Sequence, residues 1–265
     1  MGLCNNRIVV KVGTSTLTND AGKSDLRAID RLVCTLADIQ NMGYEVILVS
    51  SGAIAVGRNK LNMHEKPDSM RMKQAAAAVG QCSLMYLYDK FFGDYDKTVA
   101  QILLNAEDIE QEEKKENLTN TFDALLEMGV IPIVNENDSV SYKEIESEDR
   151  LFGDNDMLSA VVAVLCRARH LVILSDIDGF YDHDPRLYPN AKLIEQIDTI
   201  DDSVYALAGG AGSRRGTGGM RTKLQAAALA TSQGTDTIVT NGKHPEALYD
   251  IVKGLHAGTL FPGKI

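Results

Sequence analysis

Two lysines stand where an ammonium group could do chemistry. Lys11 closes the apolar run Ile8-Val9-Val10 and precedes Val12-Gly13-Thr14-Ser15, a glycine turn carrying two hydroxyls. Backbone N–H groups in such a turn bind phosphate oxygens, and a nearby ammonium neutralises them. Lys223 ends Gly216-Thr217-Gly218-Gly219-Met220-Arg221-Thr222-Lys223. There the glycines let backbone approach an oligophosphate, and the lysine falls in the first turn of a helix. A helix N-terminus disfavours cations. Lys223 and its neighbour Arg221 therefore suit that place when a phosphate lies between them and the dipole; an exposed helix-start lysine is the plainer alternative. Gly153-Asp154-Asn155-Asp156 opens another apolar helix. One of its polar residues serves as the cap, and the surplus is available to bind a ligand or to orient a lysine.

Four apolar runs end in such polar stretches. They are Ile8 to Val12, Val46 to Val49 before Ser50-Ser51-Gly52, Val130 to Val134 before Asn135-Glu136-Asn137-Asp138, and Leu171 to Leu174 before Ser175-Asp176. Runs without alternation read as strands buried on both faces, the habit of a parallel sheet covered by helices. Ligands in such sheets bind at the carboxyl ends of the strands. Further strands are expected at Thr98–Leu104 and Asp236–Gly242. Helices are expected from an N-cap at Ser24 to Gly43, over Asp68–Phe92, Asn117–Gly129, Asp154–Arg167, Arg221–Gly234 and Pro245–His256. The alternation predicts one αβα sandwich with a mainly parallel central sheet.

Two segments interrupt the rhythm. Ser141 to Gly153 gathers Glu144, Glu146, Glu148 and Asp149, and reads either as a solvated loop or as a flap facing substrate. Gly209 to Gly219 holds six glycines in eleven residues, a content that costs order, so this stretch is expected to be mobile without ligand. It is either a phosphate loop or a linker.

A formal net charge of −10 argues against a nucleic-acid or anionic-membrane surface, which needs a basic face. No apolar run approaches the ~20 residues that span a bilayer, and no signal peptide precedes the first strand; a cytoplasmic protein is expected. Cys4, Cys34, Cys82 and Cys166 are dispersed, without a C-x-x-C pair, and read as buried or incidental thiols of a reducing compartment. The Walker pattern is absent, and so is G-x-G-x-x-G after the first strand.

Taken in order, Lys11 to Ser15, Val49 to Ile54, Val134 to Asp138, Gly153 to Asp156 and Gly216 to Lys223 resemble the amino acid kinase family, and within it the enzymes that phosphorylate glutamate. The similarity runs from Arg7 to about Phe261. Many members carry a C-terminal PUA module for which this chain has no room, so residues 1–265 are expected to form a single kinase domain.

The resemblance implies transfer of the ATP γ-phosphate to the side-chain carboxylate of L-glutamate, the first step of proline synthesis. It places Ser51, Asp138 and Asn155 on glutamate, with Asn135 lining that site. Ser175, Asp176, Thr217, Gly218, Gly219, Met220, Arg221, Thr222 and Lys223 fall to ATP. Lys11 and Lys223 would stabilise the transferring phosphoryl, with Asp156 positioning them. Mg²⁺ is expected on the ATP phosphates and water rather than on a protein cage, because it dehydrates reluctantly. A homo-oligomer and feedback by proline come with the family. The acceptor is a carboxylate with a reference pKa near ~4.3, already ionised at neutral pH, so no general base is required. What remains is to suppress repulsion between anions and to align them. Other carboxylate and carbamate kinases share this architecture. A non-catalytic nucleotide-binding regulator is opposed by intact Lys11, Asp156 and Lys223, and a dehydrogenase by the glycine spacing.

Overall fold

All four apolar runs become strands whose inner residues are shut off from solvent on both sides. The computed structural model describes residues 2–19, 23–65, 67–140, 155–208 and 219–264. The acidic segment Ser141–Gly153, Asp154, and the glycine stretch Gly209–Gly218 with Thr217 lie outside the described residues.

In chain order the first half holds β1 (Cys4–Val12), α1 (Thr14–Leu17), α2 (Leu26–Asn41), β2 (Glu45–Ser50), α3 (Ala53–Lys60), α4 (Met70–Asp94) and β3 (Val99–Leu104). Then come α5 (Ala106–Glu110), α6 (Glu112–Glu127), β4 (Ile131–Glu136), α7 (Asn155–Leu165) and β5 (Ala168–Ser175). The rest comprises β6 (Phe180–Tyr181), β7 (Leu193–Ile194), α8 (Asp202–Ala208), α9 (Met220–Ser232), β8 (Asp236–Asn241), α10 (Ala247–Val252) and β9 (Thr259–Phe261).

Seven strands form one sheet in the order β3-β4-β2-β1-β5-β8-β9, parallel throughout except for β9 against β8. This is an αβα sandwich. Side chains alternate across a strand, so β1 sends Val9 to one layer and Ile8, Val10 and Val12 to the other. Val9 joins Phe122, Leu158 and Leu224 of α6, α7 and α9. Ile8 and Val10 join Leu32, Leu36, Leu84 and Tyr88 of α2 and α4. Each such large apolar side chain, fully buried, stabilises by roughly 1.5–3 kcal/mol. At the amino ends of the strands Arg7 is buried and clamps three elements. It donates to Glu45 at 2.7 Å, Asp123 at 2.9 Å and the Cys166 carbonyl at 2.7 Å.

The tightest helix contact fixes α4 against α3. A Cβ added at Gly57 would sit 1.8 Å from the Ala76 carbonyl oxygen, and one at Gly80 would sit 1.7 Å from that of Ala53. Glycine is required at both, because the backbones touch. Since α3 starts directly after Gly52, whose φ of 102° is left-handed, this contact ties α4 to the end of β2.

Some expectations shift. The cap of α2 is Asp25, which accepts from the backbone N–H of Arg27 and Ala28; Ser24 lies one residue outside. The helix expected from Asn117 begins at Glu112, where Glu112 and Glu113 suit the positive helix end. The last helix covers only Ala247–Val252. Of the dispersed cysteines, expected as buried or incidental thiols, Cys166 is buried, Cys82 exposed, and Cys4 and Cys34 intermediate.

Candidate active site

The alternation that builds the core also decides which way Lys11 points. Two residues after Val9, it faces the layer of α7 and α9. Asp156 stands in the first turn of α7 and Lys223 in that of α9, so the three converge. Lys11 Nζ lies 2.7 Å from Asp156 Oδ1, and Lys223 Nζ lies 3.0 Å from Oδ2. Thr222 Oγ1 donates to the same Oδ2 at 3.0 Å. Asp156 is 0 % exposed, Lys11 7 % and Lys223 6 %. Burial alone would raise the Asp156 pKa; the charges of Lys11 and Lys223, with their hydrogen bonds, overcome it and hold the carboxyl below its ordinary value. Two ammoniums share this carboxylate at the start of α9, where backbone N–H groups also favour an anion.

Asn135 and Ser50 point the opposite way. Asn135 shares its face with Ile131 and Ile133, and Ser50 with Leu48, all of the layer that α4 covers. Ser50 Oγ meets the buried Tyr88 hydroxyl at 2.8 Å. Asn135 Oδ1 accepts from the Glu136 backbone N–H at 2.9 Å. That fixes its amide orientation, so its Nδ2 is the donor to Gln81 Oε1 at 2.9 Å. Asn155 joins the two faces across the sheet edge. Its Nδ2 reaches the Ser50 carbonyl at 3.2 Å, Ser51 Oγ at 2.8 Å and Asn135 Oδ1 at 3.0 Å. Its neighbour in sequence is Asp156. The rim therefore has a cationic side and an amide-hydroxyl side, and the first two residues of α7 serve one each.

Asp138 sits half-buried in the turn that follows β4. Ser175 is buried at the end of β5, and its hydroxyl donates to the exposed Asp176 at 3.2 Å. Gly219 and Met220 are half-buried at the start of α9, and Arg221 is exposed. Thr222, expected at the nucleotide, has its hydroxyl within hydrogen-bond distance of Asp156 and of the Gly219 carbonyl. Thr217 and Gly218 belong to the stretch outside the described residues.

Sequence reasoning missed several groups. Gln81 and Tyr88 lie in a helix whose composition announces only packing. Asp178, at the carboxyl end of β5, accepts from Asn241 Nδ2 at 2.8 Å and from the Tyr181 hydroxyl at 3.0 Å. These bonds keep its pKa below the ordinary value. No spacing in the chain links Asp178 to Asn241, which are brought together by the pairing of β5 with β8.

A model of the amino acid kinase family matches residues 6–241. The chain belongs to the amino acid kinase family. The glutamate 5-kinase of Clostridium perfringens is 56% identical over 258 residues, which is 97% of this chain and 96% of that protein. The glutamate 5-kinase of Listeria monocytogenes is 49% identical over 97% of this chain and 93% of its own length. Among solved structures, carbamate kinase from Giardia lamblia superposes with a TM-score of 0.67 at 16% identity, covering 98% of both chains. Isopentenyl phosphate kinase from T. acidophilum gives 0.64 at 18% identity, over 96% of this chain and 99% of that one. At such identities these two show the shared amino acid kinase fold. The sandwich expected from the strand runs is the family's own.

Proposed function

We infer that this protein transfers the γ-phosphoryl group of ATP to the side-chain carboxylate of L-glutamate, the first step of proline biosynthesis. Identity of 56% to a glutamate 5-kinase over nearly the whole chain supports the reaction. The observation that carries the mechanism is the pair of buried ammoniums on Asp156 beside a cluster of amides and hydroxyls.

In this reading Lys11 and Lys223 hold the transferring phosphoryl between them. Asp156 keeps both ammoniums aimed when no phosphate is present, so little reorganisation is needed when one arrives. The acceptor carboxylate is ionised before it binds and attacks without a base. Ser51, Asn135 and Asn155 orient it, and Asp138 pairs with the substrate's α-ammonium. The nucleotide lies along Ser175, Asp176 and the segment from Thr217 to Lys223. Both Asp156 oxygens face ammonium groups, which fits a magnesium ion carried on the ATP phosphates rather than ligated by this carboxylate. When bound, that ion neutralises phosphate charge. A cytoplasmic setting, assembly with further copies and inhibition by proline belong to the same proposal. Among the described residues no helix is long and apolar enough to cross a membrane.

An ATP-dependent hydroxamate assay with glutamate, N-acetylglutamate, aspartate and carbamate tests the reaction. Product with glutamate and little with the others is expected. A preference for another acid, or no ATP-dependent product at all, overturns it. Repeating the assay with added proline tests the feedback.

A further inference from the structure

We propose that Gln81 is a specificity-determining residue which recognises the α-carboxylate of the amino-acid substrate. The inference rests on the reading of glutamate as acceptor. It starts from an amide whose orientation is settled by its neighbours. The Glu136 N–H can only donate, so Asn135 presents its oxygen there and its nitrogen to Gln81. The Gln81 atom that receives this bond must be the oxygen. Its Nε2 is then turned away from Asn135, and among the described residues it has no partner. A half-buried amide with two unused N–H donors, beside residues assigned above to an amino acid with two carboxylates, is suited to a carboxylate.

Position says which carboxylate. The γ-carboxylate must meet the phosphoryl group, and that group is held at Lys11 and Lys223 on the α7 and α9 face. Asn155 adjoins that centre, Asn135 is one hydrogen bond farther, and Gln81 two. Gln81 also comes from α4, on the opposite face of the sheet. It therefore stands at the far end of the acceptor from the lysines, on Asn135, whose strand leads into the turn that carries Asp138. The two would act as a pair, Asp138 on the α-ammonium and Gln81 on the α-carboxylate. The contact of Gly57 and Gly80 holds α4 at the required distance.

The alternative is that Gln81 only steadies Asn135, and two variants separate the roles. Gln81→Ala removes both. Gln81→Glu keeps an oxygen for Asn135 Nδ2 but replaces the free N–H donors with a negative oxygen. The probe is 4-aminobutyrate, which is glutamate without its α-carboxylate, used as alternative substrate or as competitive inhibitor. A charge-assisted hydrogen bond of this kind corresponds to roughly 10- to 100-fold in affinity. Gln81→Ala should raise KM for glutamate by that factor beyond any rise in the constant for 4-aminobutyrate, which reports the loss of the Asn135 contact alone, with KM for ATP little changed. Gln81→Glu should raise KM for glutamate further, by like-charge repulsion. Equal losses for both compounds in Gln81→Ala, or a Gln81→Glu enzyme with wild-type KM for glutamate, would overturn the proposal while leaving the reaction intact. A wild-type protein without glutamate-dependent ATP consumption would instead remove the reading beneath it, and the proposal with it.

Discussion

Asp156→Asn changes almost nothing in shape, so its effect isolates charge. The amide would stand between two ammoniums that are 7 % and 6 % exposed and have lost their common counter-ion. Removing one partner from a buried pair costs about 3–5 kcal/mol, because a charge is left uncompensated. Two ammoniums lose that carboxylate here, but both sit at a rim where they can turn toward water, so the lower end of that range, about 3 kcal/mol, is the expected loss. For a chain of this size each kcal/mol corresponds to roughly 2–4 °C, giving a fall in Tm of about 6–12 °C by calorimetry. The deficit should narrow with saturating Mg-ATP or pyrophosphate, since phosphate supplies the missing negative charge and raises Tm by linkage.

The pH dependence has a definite sign. In the folded protein the Asp156 carboxyl is held below its ordinary value of 3.8. Its contribution is therefore fully present above 3.8 and is lost as pH falls through the lower folded value. The gap in Tm between wild type and Asp156→Asn should stay constant from about pH 8 to pH 5 and close only under stronger acid. A variant within about 2 °C of wild type, or a gap that already closes between pH 7 and 5, would refute the claim that this carboxylate neutralises the two lysines.

Lys223→Ala and Lys11→Ala should each lower kcat far more than they raise KM for glutamate, and the double variant should lose less than the product of the two, because both ammoniums hold one phosphoryl group; a loss confined to KM for ATP in steady-state assays would make them ground-state contacts only. Gly80→Ala places a methyl 1.7 Å from the Ala53 carbonyl oxygen, so α3 and α4 must part; thermal unfolding should show a loss of about 1–3 kcal/mol, and KM for glutamate should rise with it, whereas wild-type Tm and KM would mean the helices can slide. Asp138→Asn keeps shape and turn geometry but removes charge; KM for glutamate should rise at least tenfold, with Tm and KM for ATP unchanged, because an α-ammonium without a counter-charge in an enclosed site costs several kcal/mol.

The parallel strands of the sheet were legible because a buried run leaves an apolar string, and a lysine or asparagine at its end stands out against it. Period-two alternation even carries the side of Lys11, since Val9 and Lys11 must face one way and Val10 the other. Gln81 was not legible. It sits 54 residues from Asn135, in a helix rich in alanine and methionine where either of its two glutamines, Gln74 or Gln81, resembles any solvated position. Its role exists only because Gly57 and Gly80 bring α4 against α3 at backbone contact. Strand β9 is three residues long, too short for any pattern to register, and Thr259 within it is held by the Phe180 N–H and the Ile194 carbonyl. Ser24 lost the cap to Asp25 because both residue types can cap, and register alone chooses between them.

The sheet also explains why the two reactants need not compete for the same charges. Lys11 and Lys223 belong to the face of α7 and α9, whereas Asn135, Gln81 and Ser50 belong to that of α4. An anionic donor and an anionic acceptor can thus be bound from opposite faces and meet only over the strand ends. Asn155 and Asp156, adjacent at the start of α7, are where the halves join: one side chain spans the amide cluster and the next spans the lysines. A shift of α7 would move both at once. Alignment of the acceptor with the phosphoryl group is therefore a property of one helix terminus, and substitutions that loosen its buried anchors, such as Leu158→Ala, should lower kcat even though they touch neither substrate.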